Sequence, residues 1–262
     1  MGILNTTPDS FSDGGRFMAG SRALGHARRM VEEGADIIDV GGESTRPGAA
    51  DVGEQEEIDR VVPVIESIRA ELDVPVSIDT SKPGVMRAAV AAGADMINDV
   101  RALRAAGALE AAAELQKPVC LMHMQGAPQT MQQDPRYDDL VADVTQFLRE
   151  RVAECVAAGL DEELLLVDPG FGFGKTPADN IGLLANLRQL LVIGRPLLVG
   201  ISRKSTLGVL TGREVGERVP ASIAAAVMAV DRGASIVRVH DVAETVDAMR
   251  IASEVIEMDT SK

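Results

Sequence analysis

Asp79, Asn98 and Asp168 each close a short apolar run, in "PVSID" (75 to 79), "ADMIN" (94 to 98) and "LLLVD" (164 to 168). Ionised carboxylates only accept hydrogen bonds, so such a set suits a flat heterocycle rich in N–H donors. Two basic stretches complement it: "SRKS" (202 to 205), which carries Ser202 and Lys204, and "RVH" (238 to 240), which carries Arg238 and His240. Alternation along a strand sets Arg238 and His240 on one face. In a chain of net charge -14 such cations are a local feature, suited to gripping a phosphate or diphosphate. A magnesium ion bridging diphosphate oxygens needs few protein ligands, and Asn5, at the end of "GILN" (2 to 5), is the candidate oxygen donor.

The stretch "DPGFGFGKT" (168 to 176) has the look of a phosphate loop but not its spacing. A Walker A loop requires G-x-x-x-x-G-K-[ST]; five residues before Gly174 stands Pro169. The glycines at 170, 172 and 174 are also wrong for G-x-G-x-x-G. A tight turn with close backbone approach remains, and Lys175 is expected to be a loop or rim charge. The sequence has no Trp, one Tyr and five Phe, so its core must be aliphatic. Phe11, Phe17, Phe171 and Phe173 nevertheless fall in two loops that follow strands, where they either anchor the loops or cover a planar ligand. Met122 and Met124 are expected in a pocket wall or the core.

Repeated junctions define the elements that must position these groups. "EGADIIDVGG" (33 to 42), "AGADMINDV" (92 to 100) and "RGASIVRVH" (232 to 240) each set a glycine after a helical pattern and before a β-branched run, as at a helix C-cap leading into a strand. Five further runs read as strands: 2 to 5, 75 to 79, 118 to 123, 164 to 168 and 196 to 200. Helical patterns lie near 21 to 33, 54 to 71, 83 to 92, 107 to 115, 137 to 158, 180 to 191, 220 to 232 and 242 to 256. Eight alternations without a linker make a single (β/α)8 TIM barrel the economical α/β fold, a doubly wound sheet being the alternative. In such a barrel the strand ends gather at one mouth, which would hold Asn5, Asp39, Asp79, Asn98, Asp99, His123, Asp168, Ser202, Arg238 and His240. Asp39 and Asp99 have a simpler reading as loop caps or local partners, and His123 as a satisfied histidine.

The acidic balance argues against non-specific binding to nucleic acid or an anionic membrane. No run of about eighteen apolar residues offers a membrane span. Cys120 and Cys155, both in apolar patterns, read as buried reduced thiols of a cytoplasmic protein.

These motifs, with "GILNTTPDSFSDGG" (2 to 15), "IDVGGESTRPGA" (38 to 49), "IDTSKP" (78 to 83), "LMHMQG" (121 to 126) and "RVHDV" (238 to 242), resemble in order the dihydropteroate synthases of bacterial folate biosynthesis. The resemblance covers essentially the whole chain, read as one pterin-binding domain over 1 to 262. It implies a homodimer, a target of sulfonamides, whose small-molecule substrates are a dihydropterin diphosphate and 4-aminobenzoate. It implies that Asp79, Asn98, Asp168 and Lys204 hold the pterin, with Met122 also at the substrate, and that Arg238 lies across the ring. His240, and Asn5 through magnesium, would grip the diphosphate with Arg238. Thr45, Arg46 and Pro47, with the loop around Ser10 and Phe11, would close over the site. Phe11, Pro47, Phe171 and Ser202 would border 4-aminobenzoate. Lys204, Arg238, Asp79 and Asp168 are the expected catalytic residues. Family members usually carry a further segment before the first strand, where Gly2 here already begins it, so the chain is expected to lack that segment. A pterin-binding methyltransferase of the same fold and a catalytically degenerate barrel remain as alternatives.

Overall fold

The computed structural model describes residues 1 to 6, 16 to 44, 51 to 126, 130 to 132 and 134 to 260. Eight short strands form one parallel sheet in sequence order: β1 (Gly2–Asn5), β2 (Ile38–Gly41), β3 (Val76–Asp79), β4 (Met96–Asp99), β5 (Val119–Met122), β6 (Leu165–Asp168), β7 (Leu197–Val199) and β8 (Ala234–Val237). The sheet curls and closes on itself. Gly2 bridges Val239 in parallel, the Ile3 amide donates to the Val239 carbonyl at 3.0 Å, and the Val239 amide donates to the Met1 carbonyl at 2.9 Å. The doubly wound alternative is excluded, because such a sheet leaves two open edges.

Among the described residues the helices are α1 (Arg16–Glu32), α2 (Glu54–Glu71), α3 (Pro83–Ala91), α4 (Ala108–Leu115), α5 (Leu140–Ala157), α6 (Pro177–Ala185), α7 (Ser205–Thr211), α8 (Val219–Asp231) and α9 (Val242–Thr260). Three differ from the sequence pattern. α1 starts at Arg16 where 21 was expected, and so takes in Phe17, which was expected in a loop. The expected helix at 180 to 191 starts earlier, because Thr176 caps α6 reciprocally with Asp179 and Pro177 takes the first turn, where its missing N–H costs nothing. It ends at Ala185, and a 3-10 segment covers Leu187–Ile193. α7 gave no amphipathic signal, since Val209 and Leu210 face outward; only the left-handed Gly212 after it marks its end.

Period-two alternation builds two layers from each strand. Ile38, Val40, Val76, Ile78, Ile97, Val119, Leu121, Leu165, Val167, Leu197 and Val199 point outward into an aliphatic shell under the helices. Their neighbours point into the barrel. Its floor is apolar, made by Met1, Met96, Cys120 and Leu198 with Ile37, Leu166 and Ile236. Above it the same alternation delivers Asp39, Asp79, Asn98, Met122 and Asp168. Cys120 and Cys155 are buried free thiols, as expected.

Candidate active site

The mouth is centred on Arg238, just beyond β8. Its Nε donates to Asp39 Oδ2 at 2.6 Å and its Nη2 to Asp79 Oδ2 at 2.8 Å. Asn98 Nδ2 donates to the same Asp39 oxygen at 3.2 Å. Residues from four strand ends are thus joined across the barrel, and Asp39 is wholly buried. Burial pushes the Asp79 carboxyl up to about 7, against the pull of Arg238. Burial alone would lower Arg238, yet Asp39 and Asp79 outweigh it and hold the guanidinium above its ordinary value. Arg238 is therefore a fixed cation, held by two carboxylates in the plane of its guanidinium donors.

On the opposite side Asp168 is buried and accepts from the Gly170 amide at 2.7 Å. Burial raises its pKa, and Lys204 opposes the shift. Lys204 donates to the Phe171 carbonyl, and its Nζ stands 4.6 Å from the centre of the Phe173 ring. Burial brings its ammonium down to about 8 while Asp168 holds it up. Ser202 Oγ accepts from the His240 amide at 3.2 Å and lies 3.1 Å from His240 Nδ1. The loops after β7 and β8 are tied again by Arg203, whose Nε donates to Asp241 Oδ2 at 3.0 Å. Asn5, half-buried, ends β1 opposite Gly41, where its Oδ1 and the Asp79 side chain flank the Gly41 backbone.

Asp79, Asn98, Asp168, Ser202, Lys204, Arg238, His240 and Asn5 are thus the expected residues that stand at the mouth, with Met122 in its wall. Met122 packs with Val100, Met124 and Met131 against Phe173. Phe11, Thr45, Arg46 and Pro47 lie outside the described residues, as does Ser10. Arg238 and His240 share a strand face only in the sequence pattern, since β8 ends at Val237. Asp39, left open as a local partner, is instead the buried anchor of Arg238. Asp99 does cap a loop: it accepts from the amides of Arg101 at 2.7 Å and Leu103 at 2.8 Å.

Two expectations are corrected in the glycine-rich loop. Phe171 is 1% exposed and belongs to the aliphatic shell, so it offers the mouth its carbonyl and not its ring. Phe173, two residues on, supplies the half-buried ring. Lys175 is not a rim charge: it is 2% exposed, with Nζ 2.9 Å from His123 Nδ1. The turn forces this arrangement. Gly170 has φ 68°, and a Cβ there would stand 1.9 Å from the His123 carbonyl oxygen; at Gly174, φ 60°, it would stand 2.5 Å from that of Gln125. The loop therefore lies directly on the chain leaving β5, which only glycine permits.

The family model for pterin binding enzymes matches residues 1–240. The chain belongs to that family, within the dihydropteroate synthases. It is 53% identical to the dihydropteroate synthase of Escherichia coli K12 over 262 residues, covering 100% of this chain and 93% of that one. The Yersinia pestis dihydropteroate synthase, solved with a sulfonamide drug complex, superposes with a TM-score of 0.93 at 56% identity, over 97% of this chain and 93% of that one. The Xanthomonas albilineans dihydropteroate synthase with 4-aminobenzoic acid does so at 0.92 and 56%, over 97% and 92%.

Proposed function

We infer that the chain joins (7,8-dihydropterin-6-yl)methyl diphosphate to 4-aminobenzoate, giving 7,8-dihydropteroate and diphosphate. The observation that carries the reading is the meeting of buried acceptors with fixed cations at one mouth, in a chain 53% identical over its whole length to a dihydropteroate synthase. The Xanthomonas albilineans enzyme has been solved with 4-aminobenzoic acid and in complex with 7,8-dihydropteroate.

In this reading Asp79, Asn98 and Asp168 take the pterin's N–H and amino donors, and Lys204 supplies a cation beside the ring. Met122 lies against the substrate from the wall. Arg238, gripped by Asp39 and Asp79, lies across the ring and with His240 faces the diphosphate. Ser202 and Phe173 border 4-aminobenzoate, Phe173 taking the part expected of Phe171. Phe11, Thr45, Arg46 and Pro47 complete the enclosure. The carbon–oxygen bond breaks with both electrons leaving on diphosphate. The methylene cation, delocalised into the pterin, is attacked by the arylamine nitrogen, which then loses a proton. Positive charge at the leaving group and exclusion of water supply the catalysis, and no side chain forms a covalent bond.

The donor set fits a magnesium ion carried on the substrate. Asn5 presents a single neutral amide, and among the described residues no group of three or more His, Cys, Asp or Glu side chains could cage an ion alone. When bound, magnesium neutralises charge on the diphosphate. The chain works as a cytoplasmic homodimer. In support, Val209 and Leu210 on α7 and Met228 on α8 are exposed apolar side chains, and no helix among the described residues is long and apolar enough to cross a membrane.

Diphosphate release from the dihydropterin diphosphate, measured with and without 4-aminobenzoate, tests the reaction. Release that depends on 4-aminobenzoate and matches the 7,8-dihydropteroate formed is expected. Pterin binding without release would leave only a degenerate barrel.

A further inference from the structure

The chemistry proposed above uses Lys204 but not Lys175, which is the more deeply buried of the two. Lys175 Nζ donates to the Gly170 carbonyl at 2.9 Å and the Phe173 carbonyl at 3.2 Å, and meets His123 Nδ1 at 2.9 Å. His123 is itself buried and packs edge-on against Phe147, with ring centres 5.0 Å apart. Burying an ammonium is unfavourable, and here burial drives its pKa down to about 7. Its bonds go to loop carbonyls and a ring nitrogen, so the cost is spent on holding backbone.

The rest of the loop is held in the same manner. Five consecutive carbonyls each receive a side-chain donor: Gly170 and Phe173 from Lys175, Phe171 from Lys204, Gly172 from Gln132 Nε2 at 2.6 Å, and Gly174 from Tyr137 Oη at 2.6 Å. The Gly172 amide in turn donates to Asn180 Oδ1 at 2.7 Å. With Gly170, Gly172 and Gly174 all at positive φ, the loop has little conformational preference of its own, and these donors decide where it points. Lys175 grips it from beneath, and Lys204 meets the same loop from the mouth, at the Phe171 carbonyl and the Phe173 ring.

We propose that Lys175 is a positioning residue for the second substrate: by fixing the Gly170 and Phe173 carbonyls from below, it aims the Phe173 ring. The proposal rests on the reading that Phe173 borders 4-aminobenzoate. It differs from a general stabilising role because the pterin acceptors Asp79 and Asn98 stand on other strands, with bonds that do not pass through this loop, and Asp168 meets it at the Gly170 amide, whereas Lys175 holds carbonyls.

The test compares Lys175→Met, Tyr137→Phe and Phe173→Ala in the full chain. Steady-state kinetics gives KM for 4-aminobenzoate, and fluorescence titration gives the dissociation constant of the dihydropterin diphosphate alone. Lys175→Met is expected to raise the 4-aminobenzoate KM about 10-fold, in keeping with the cost of a misplaced contact, and to change pterin affinity less than about 2-fold. Tyr137→Phe, which removes one hydroxyl from the same loop, is expected to raise that KM about 2-fold. A Lys175→Met enzyme that loses only kcat, or weakens pterin as much as 4-aminobenzoate, overturns the proposal. If that variant does not fold, an unchanged KM in folded Tyr137→Phe overturns it. Phe173→Ala separates the two layers: an unchanged 4-aminobenzoate KM there removes the site reading itself, whereas a raised KM there with an unchanged one in Lys175→Met removes the positioning role alone.

Discussion

The two sides of the barrel mouth are built by different means. On the side of β2, β3 and β4, side chains hold a side chain: Asp39, Asp79 and Asn98 converge on Arg238 and on one another. On the side of β6 and β7, side chains hold backbone: Lys175, Lys204, Gln132 and Tyr137 all donate to carbonyls between Gly170 and Gly174. The first arrangement makes a rigid charged plane from strand ends whose directions the pleat dictates. The second shapes a glycine-rich loop with no preferred form and so presents a ring and a carbonyl at chosen positions. The contrast assigns the fixed pterin contacts to the strands and the second substrate's surface to a loop held from outside.

Removing Arg238 strikes hardest at the first side. Arg238→Met is expected to cut kcat/KM by about 10³-fold and to lower unfolding stability by about 3 kcal/mol, because wholly buried Asp39 loses its charged partner. Turnover assays with urea denaturation check both, and unchanged stability would mean that the carboxylates do not depend on Arg238. The paired variants Phe171→Ala and Phe173→Ala sharpen the second side. Phe171→Ala empties a packed site and is expected to cost about 3–5 kcal/mol with KM values retained in the folded fraction. Phe173→Ala is expected to leave stability nearly unchanged and to raise the 4-aminobenzoate KM about 10-fold; the reverse pattern would restore Phe171 to the mouth. The last effect concerns pH. Burial holds the Lys175 ammonium at about 7 against its ordinary 10.5, so between those values the unfolded chain binds a proton that the folded chain does not. Stability contributed by this group therefore rises with pH across that window. A Tm that rises with pH above about 7, and no longer does so in Lys175→Met, is the expected result in thermal melts at a series of pH values.

The barrel was legible because its signals are local and repeated. Each strand alternates outward aliphatics with inward groups, so the positions of Asp79, Asn98 and Asp168 follow from the pleat alone. α7 was not legible, because its apolar Val209 and Leu210 face outward and leave no amphipathic stripe. Asp39 was half legible: its place at a strand end could be read, but its partner stands 199 residues away.

Residues 170 to 175 mark the boundary most clearly. The sequence by itself determined that a glycine-rich turn follows β6 and that it is no nucleotide loop, since spacing decides both. Which phenylalanine faces the mouth, and that Lys175 lies beneath the loop and not at its rim, only the tertiary structure decided. Left-handed glycines erase the side-chain alternation that a strand imposes, and the groups that fix the loop come from His123, Gln132, Tyr137 and Lys204, distant in sequence and adjacent only once the barrel closes.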